Sequence, residues 1–162
     1  MHNLLLPLIP LTLAGAIFFK HRAAAYGLPV LLIAIKAFIV TSLSPIYLFL
    51  GAGLLVSVFA VRSLGLRKTS SLLELTGYAA GTVLIYQLFS GFGVWFLGGC
   101  VPQDPPLYAH TAAGLAQCYA ASLPGLVNTL LRDVPVTVLL VLAMRWVERK
   151  VMHRLDSMAA GA

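Results

Sequence analysis

The stretch TAAGLAQCYAASLPGLVNTLLRDVPVTVLLVLAMRWV, residues 111–147, decides how often this chain crosses a membrane. It can be read as two short crossings, or as one short dipping helix ended by Pro124 and followed by a full crossing. Charge separates the two readings. Lys20 and Arg22, then Arg62, Arg67 and Lys68, then Arg145, Arg149, Lys150 and Arg154 sit at the same ends of successive apolar segments, nine of the eleven Lys and Arg residues. The opposite loops, at Ser44 and from Gly99 to His110, contain neither. Two crossings after His110 would carry the last four basic residues outside, whereas one crossing keeps them all on the cytoplasmic side. Residues 111–123 are then expected as a re-entrant or interfacial helix on the outer side, a geometry tolerated only where the backbone packs on protein or lines a wet cavity.

Working outward, a mean hydropathy of +0.94 with 60% hydrophobic and 10% charged residues leaves no soluble surface, so the chain is expected to be one integral membrane domain, residues 1–162. At roughly 20 residues per span there is room for five or six helices and no separate catalytic domain. The formal charge of +6 sits at helix ends and reads as anchoring at the bilayer surface, not as a nucleic-acid patch. The apolar segments run over about 3–19, 26–43, from the Ser44–Pro45 turn to Arg62, and 72–99. A capping stretch, Thr69 to Ser71, precedes the fourth, and Glu74 in its first turn complements the helix dipole. These segments show no period-two alternation, so a β-barrel is not a serious competitor. The expected fold is an all-α polytopic bundle of five spans plus one re-entrant or interfacial helix. It lies in a cell inner membrane with its amino end outside and its carboxyl end cytoplasmic, and residues 156–162 form a disordered tail.

The run Ser90-Gly-Phe-Gly-Val-Trp95, then Thr111 through Pro124, then Asn128-Thr-Leu-Leu-Arg-Asp133 resembles an uncharacterised bacterial membrane-protein family, catalogued as a domain of unknown function. That family resembles in turn the substrate-binding S components of energy-coupling-factor vitamin transporters. The resemblance is specific over about 72–146 and looser from Asn3 to Leu64. It implies an S-component-like fold, a vitamin or similar small nutrient as ligand, and an ATP-hydrolysing transporter complex as partner. The family pattern has one more helix ahead of Asn3, and it more often has Gly where this chain has Arg132.

Ionisable groups at membrane depth usually face a bundle interior or a cavity. Lys36 and Asp133 are both expected roughly 10 to 14 Å below the outer surface, counting about 1.5 Å per residue, and could pair or form the charged floor of a pocket. Asn128 precedes Arg132 by one turn and shares its face. Gln87, and Ser90 beside the Gly91–Gly93 kink, are further polar candidates; for Gln87 an interhelical hydrogen bond without a ligand competes. Gly77 and Gly81 have the spacing that lets another helix approach closely. Trp95 and Trp146 suit an aromatic belt, and Trp95 also suits a stacking wall. Cys118, with Tyr119 beside it in the outer helix, is open to three roles: a disulfide with Cys100, a small buried side chain, or a thiolate toward a metal-containing nutrient.

No phosphate-cradling loop, dinucleotide turn or metalloprotease helix is present, and the Cys and His spacings do not suggest a metal site. No catalytic residues and no resident cofactor or metal are expected; a thiol oxidoreductase using Cys100 and Cys118 would lack the usual Cys-x-x-Cys pair. The expected function is nutrient binding for uptake, in a cavity between the second, fourth and last spans. The alternative is a structural or assembly subunit of a larger membrane complex. A nutrient binder should bring Lys36, Gln87, Asn128 and Asp133 onto a void, whereas a packing subunit should have them paired.

Overall fold

The computed structural model describes residues 8–19, 21–39, 44–65, 71–99 and 106–160, with side chains as far as Val151. Five helices follow one another: α1 (Leu8–Phe18), α2 (Arg22–Ile39), α3 (Ile46–Ser63), α4 (Leu72–Phe96) and α5 (Ala112–Ala160). Their ends follow local chemistry. Ser71 and Glu74 form a reciprocal capping box at the start of α4, Ser71 Oγ accepting from Glu74 N and Glu74 Oε2 from Ser71 N. After α3, Gly65 turns the chain out at a φ of 76°, a left-handed conformation that costs glycine nothing.

Helices α2, α3, α4 and α5 pack in that order as an arc, and α1 lies on its concave side, touching all four. Uniformly apolar, α1 has no polar face to turn to solvent, and eight of its residues are buried. Its last carbonyls are capped from α3: Arg62 Nη1 donates to Phe19 O at 3.1 Å and to Ala16 O at 3.4 Å, a cation on the negative end of a helix dipole. Two apolar clusters hold the bundle. One joins Leu13, Ala16, Val61, Leu75 and Val141 toward the basic end. The other joins Leu8, Ile9, Leu32, Leu54 and Val83, with Leu126, Leu130 and Val134 of α5 against it.

The arc is not closed. Among the described residues α2 meets only α1 and α3, and α5 meets only α1 and α4, so a seam between α2 and α5 is backed by α1 alone.

The expected outer helix is not a separate element. Residues 112–123 are the first turns of a single α5, and Pro124 and Pro135 both lie inside it. Contacts with α4 place this part of α5 in the crossing itself: Tyr119 lies on Gly91, Leu130 shares a cluster with Val83, and Val141 shares one with Leu75. The two helices therefore run antiparallel along the whole of α4. A proline ends a helix in water by freeing a carbonyl and crowding the turn before it. In apolar surroundings neighbouring helices and Ser or Thr hydroxyls compensate. Near Pro124, Ser122 Oγ donates to Tyr119 O and Thr129 Oγ1 to Gly125 O, neither of them the Ala120 carbonyl that Pro124 frees, so packing on α4 is what keeps the helix continuous here.

Three of the helices, α3, α4 and α5 as far as Val151, are long and apolar enough to cross a membrane. The outward faces are oily: Phe38 is 85% exposed, Leu73 82% and Leu48 76%, a surface suited to lipid and not to water. This is an all-α, multi-pass membrane protein.

Candidate functional site

Charge inside the bundle gathers at the seam. Asp133 is buried, and its Oδ1 accepts from Arg132 Nε at 2.6 Å. Thr137 Oγ1 donates to the Asp133 carbonyl, also at 2.6 Å, securing the backbone just before Pro135. Across the seam on α2, Lys36 is half-buried and within electrostatic reach of Arg132. The pairing expected between Lys36 and Asp133 is not the one found: the carboxylate is engaged by its own neighbour in sequence, and Lys36 has no carboxylate partner among the described residues. Asn128, one turn before Arg132 on α5, is exposed as Arg132 is.

Tyr86 of α4 lies on the other side of the Arg132–Asp133 pair and was not singled out from the sequence. It packs on the cluster containing Leu126, Leu130 and Val134, and it lies within the electrostatic field of Asp133, Arg132 and Tyr47. Its neighbour Gln87 drew attention as the polar residue of that stretch. A phenol with an apolar body is a weaker signal in an aromatic-rich chain. Thr12, at the centre of α1, was also passed over: its Oγ1 is buried without a hydrogen-bond partner among the described residues.

A second group of candidates ties α4 to α5 and to the connection between them. Cys118 Sγ donates to Gly91 O at 3.4 Å, and Tyr119 OH donates to Leu88 O at 2.8 Å. Trp95 Nε1 donates to Ala109 O at 2.9 Å, and its ring packs on Phe92 and His110 with centroids 5.5 and 5.7 Å away. Leu107 N donates to Gly98 O, so the segment entering α5 is strapped to the end of α4. These side chains spend their polar atoms on packing. Gln87 and Ser90 are half-buried between the two groups. Cys100, and with it a Cys100–Cys118 disulfide, lies outside the described residues.

A cavity lies elsewhere in the bundle. It has a volume of about 370 Å³ and opens between α3 and α4 toward the basic end, beside Ser57, Glu74, Gly77, Tyr78, Gly81 and Thr82, and none of the nine candidate residues lines it. Gly77 and Gly81 have nothing within 4 Å of where a side chain would begin. The close helix approaches inside the chain use other glycines: Gly91 meets the ring of Tyr119 and Gly93 the ring of Phe49. Among the described residues no cluster of three or more His, Cys, Asp or Glu could hold a metal ion.

These features define a small multi-pass helical membrane protein with a charged seam on one side of its bundle. The chain belongs to a family of unknown function, DUF6580, whose model matches residues 2–156. No curated protein and no solved structure matches it.

Proposed function

We propose that this protein binds a small nutrient for uptake, as the non-catalytic substrate-binding component of a transport system. The observation that carries this reading is the Arg132–Asp133 pair on α5, with Asp133 buried, in a bundle whose α2 and α5 leave one side of the arc unclosed and whose α2 carries the half-buried Lys36. Charged groups are costly in a bilayer, and those placed at a gap between helices commonly mark a solute site. The resemblance to vitamin-transporter S components points the same way. The chain has no nucleotide-binding motif, so energy would come from an ATP-hydrolysing partner complex. With the basic ends of the helices cytoplasmic, as the positive-inside rule directs, that partner meets the end carrying Arg62 and Arg145.

The test is mass spectrometry of small molecules extracted from gently purified protein, with a Cys118→Ala variant beside it. The expected result is one vitamin-like compound at near-stoichiometric level, retained by the variant because Cys118 is engaged with Gly91 O. Recovery of lipid alone would reject nutrient binding.

A second reading, a structural or assembly subunit, is favoured by a different observation. Cys118 and Tyr119 are satisfied within the chain, while the α3–α4 groove lies open beside Gly77 and Gly81. Stoichiometric co-purification of another membrane protein, lost on bulky substitution at Gly81, would select it.

A further inference from the structure

Arg132 stands at the middle of the crossing. Leu130 packs in the same cluster as Val83, near the centre of α4, and Val134 packs on both apolar clusters, so the residue between them is far from either end of α4. In a hydrocarbon layer of about 30 Å, mid-depth leaves roughly 15 Å to each surface, more than an arginine side chain can climb. Yet this side chain is 44% exposed. Its bond to Asp133 uses Nε, and its two terminal amino groups have no partner among the described residues.

Asn128, four residues earlier on the same unbroken helix, is exposed as well, and its carboxamide also has no partner among the described residues. Residues four apart on a helix are neighbours on its surface, so an amide and a guanidinium stand together on the outside of α5. Lipid tails offer neither of them a hydrogen bond, and polar groups at this depth are normally covered by protein or water.

The surface around them suits a helix. At 100° per residue, Ala121, Gly125, Asn128 and Arg132 fall within about 60° of one another around α5, and all four are exposed. A side chain beginning at Gly125 would meet nothing within 4 Å. Small residues let a neighbouring backbone come close, which brings its side chains within reach of the polar pair.

Hydrogen-bond chemistry selects the neighbour. Asp133 already balances the charge of Arg132, and the guanidinium has donors left but no acceptor, so the missing partner supplies oxygen atoms. A second copy set about a two-fold axis on this stripe would oppose Arg132 to Arg132, donors against donors. Lipid headgroups lie half a bilayer away. We propose that this face of α5 packs against a transmembrane helix of another membrane protein, which presents an Asp, Glu, Asn or Gln side chain at mid-depth to Asn128 and Arg132. The interface goes beyond nutrient binding and stands whether or not the protein carries a solute.

The test is photo-crosslinking of the full chain in its native cells. Benzoylphenylalanine is introduced at Ala121 or Leu139, on the face, or at Val127 or Leu48, exposed elsewhere. Each is made with the wild-type polar pair, with Asn128→Leu, and with Arg132→Gln/Asp133→Asn. Adducts are identified by mass spectrometry, and the yield of folded protein in the membrane is the control. Asn128→Leu leaves the Arg132–Asp133 bond in place, so its result does not depend on that pair for folding.

The expected result is an adduct from Ala121 and Leu139 to one transmembrane segment carrying an Asp, Glu, Asn or Gln at the level of Arg132. Its yield should fall about tenfold in both variants, as for loss of an interhelical hydrogen bond, and equally when that partner residue is changed to Leu. Val127 and Leu48 should give lipid adducts. An adduct to a second copy of this chain overturns the proposal in favour of self-association. Lipid adducts from all four positions overturn it outright, as does a partner whose yield ignores Asn128→Leu and its own polar residue.

Discussion

Arg132 and Asp133 are consecutive in the chain and bonded in space, with Nε 2.6 Å from Oδ1. Consecutive helical residues point about 100° apart, so the bond wraps around the surface of α5 from an exposed guanidinium to a buried carboxylate. The two partners are therefore unequal. Removing the buried carboxylate leaves a long, 44% exposed guanidinium that is free to reorient, whereas removing the cation leaves a short carboxylate buried without a charged partner.

Stability should show that inequality. Arg132→Met is expected to cost about 3 kcal/mol, the range for an uncompensated buried charge, and Asp133→Asn about 1 kcal/mol. The double variant should be more stable than Arg132→Met alone. Thermal melts in detergent measure all three, and equal losses for the two single variants would contradict the asymmetry.

The glycines of α4 should divide by position. A methyl group at Gly91 would lie 2.6 Å from Cε1 of Tyr119, whose hydroxyl is tethered to Leu88 O, so Gly91→Ala is expected to cost about 1–3 kcal/mol. Gly77→Ala meets open space and is expected to stabilise the helix by about 0.5–1 kcal/mol. Denaturation of the two variants side by side gives the answer; similar destabilisation at both positions would mean that α4 packs differently.

Continuity of α5 through Pro124 can be measured as a length. Spin labels replacing Gln117 and Leu139, both exposed, should lie about 33 Å apart at 1.5 Å per residue, in a background with Cys100 and Cys118 changed to Ala. A chain that doubled back at Pro124 would bring them within about 20 Å by the same rise. Double electron–electron resonance resolves the two cases.

The bond from Trp95 to Ala109 should protect the segment leading into α5. Trp95→Phe keeps an aromatic ring against Phe92 but removes the N–H donor, at a cost of about 1 kcal/mol. Amide exchange over residues 106–111 should quicken while exchange in the middle of α4 stays the same. Unchanged exchange in the segment would show that the bond does not hold it.

The helices were legible in the sequence because apolar length and the position of basic residues are one-dimensional signals. The expected segments at 26–43 and 72–99 differ from α2 and α4 by a few residues at their ends, and the capping stretch at Ser71 is where α4 begins. Pro124 misled because its water-phase meaning was applied to a stretch packed on α4 at both sides, Tyr119 on Gly91 before it and Leu130 near Val83 after it. The partner of Asp133 was sought on another helix, although an adjacent long side chain could curl back and reach it. Gly77 and Gly81 have a spacing suited to close approach, yet spacing does not say which face meets a neighbour. The unclosed side of the arc, between α2 and α5, depends on how five helices are arranged, and a single chain of letters carries no direct mark of that.

The length of α5 has a mechanical consequence. Its 49 residues span about 74 Å, well over twice the hydrocarbon thickness, and Arg132 lies about 42 Å from its far end. As far as Met144 the helix is held in the bundle, where Val141 is fully buried with Val138 and Met144 around it, so the stretch that projects past the core begins near Arg145. From Arg145 to Ala160 it adds about 23 Å of helix, and a tilt of about 5° displaces the tip by about 2 Å, at a rise of 1.5 Å per residue. The basic residues Arg149 and Lys150 thus ride on a rigid rod fixed to the core at Val141, and any shift of that core is read at its tip.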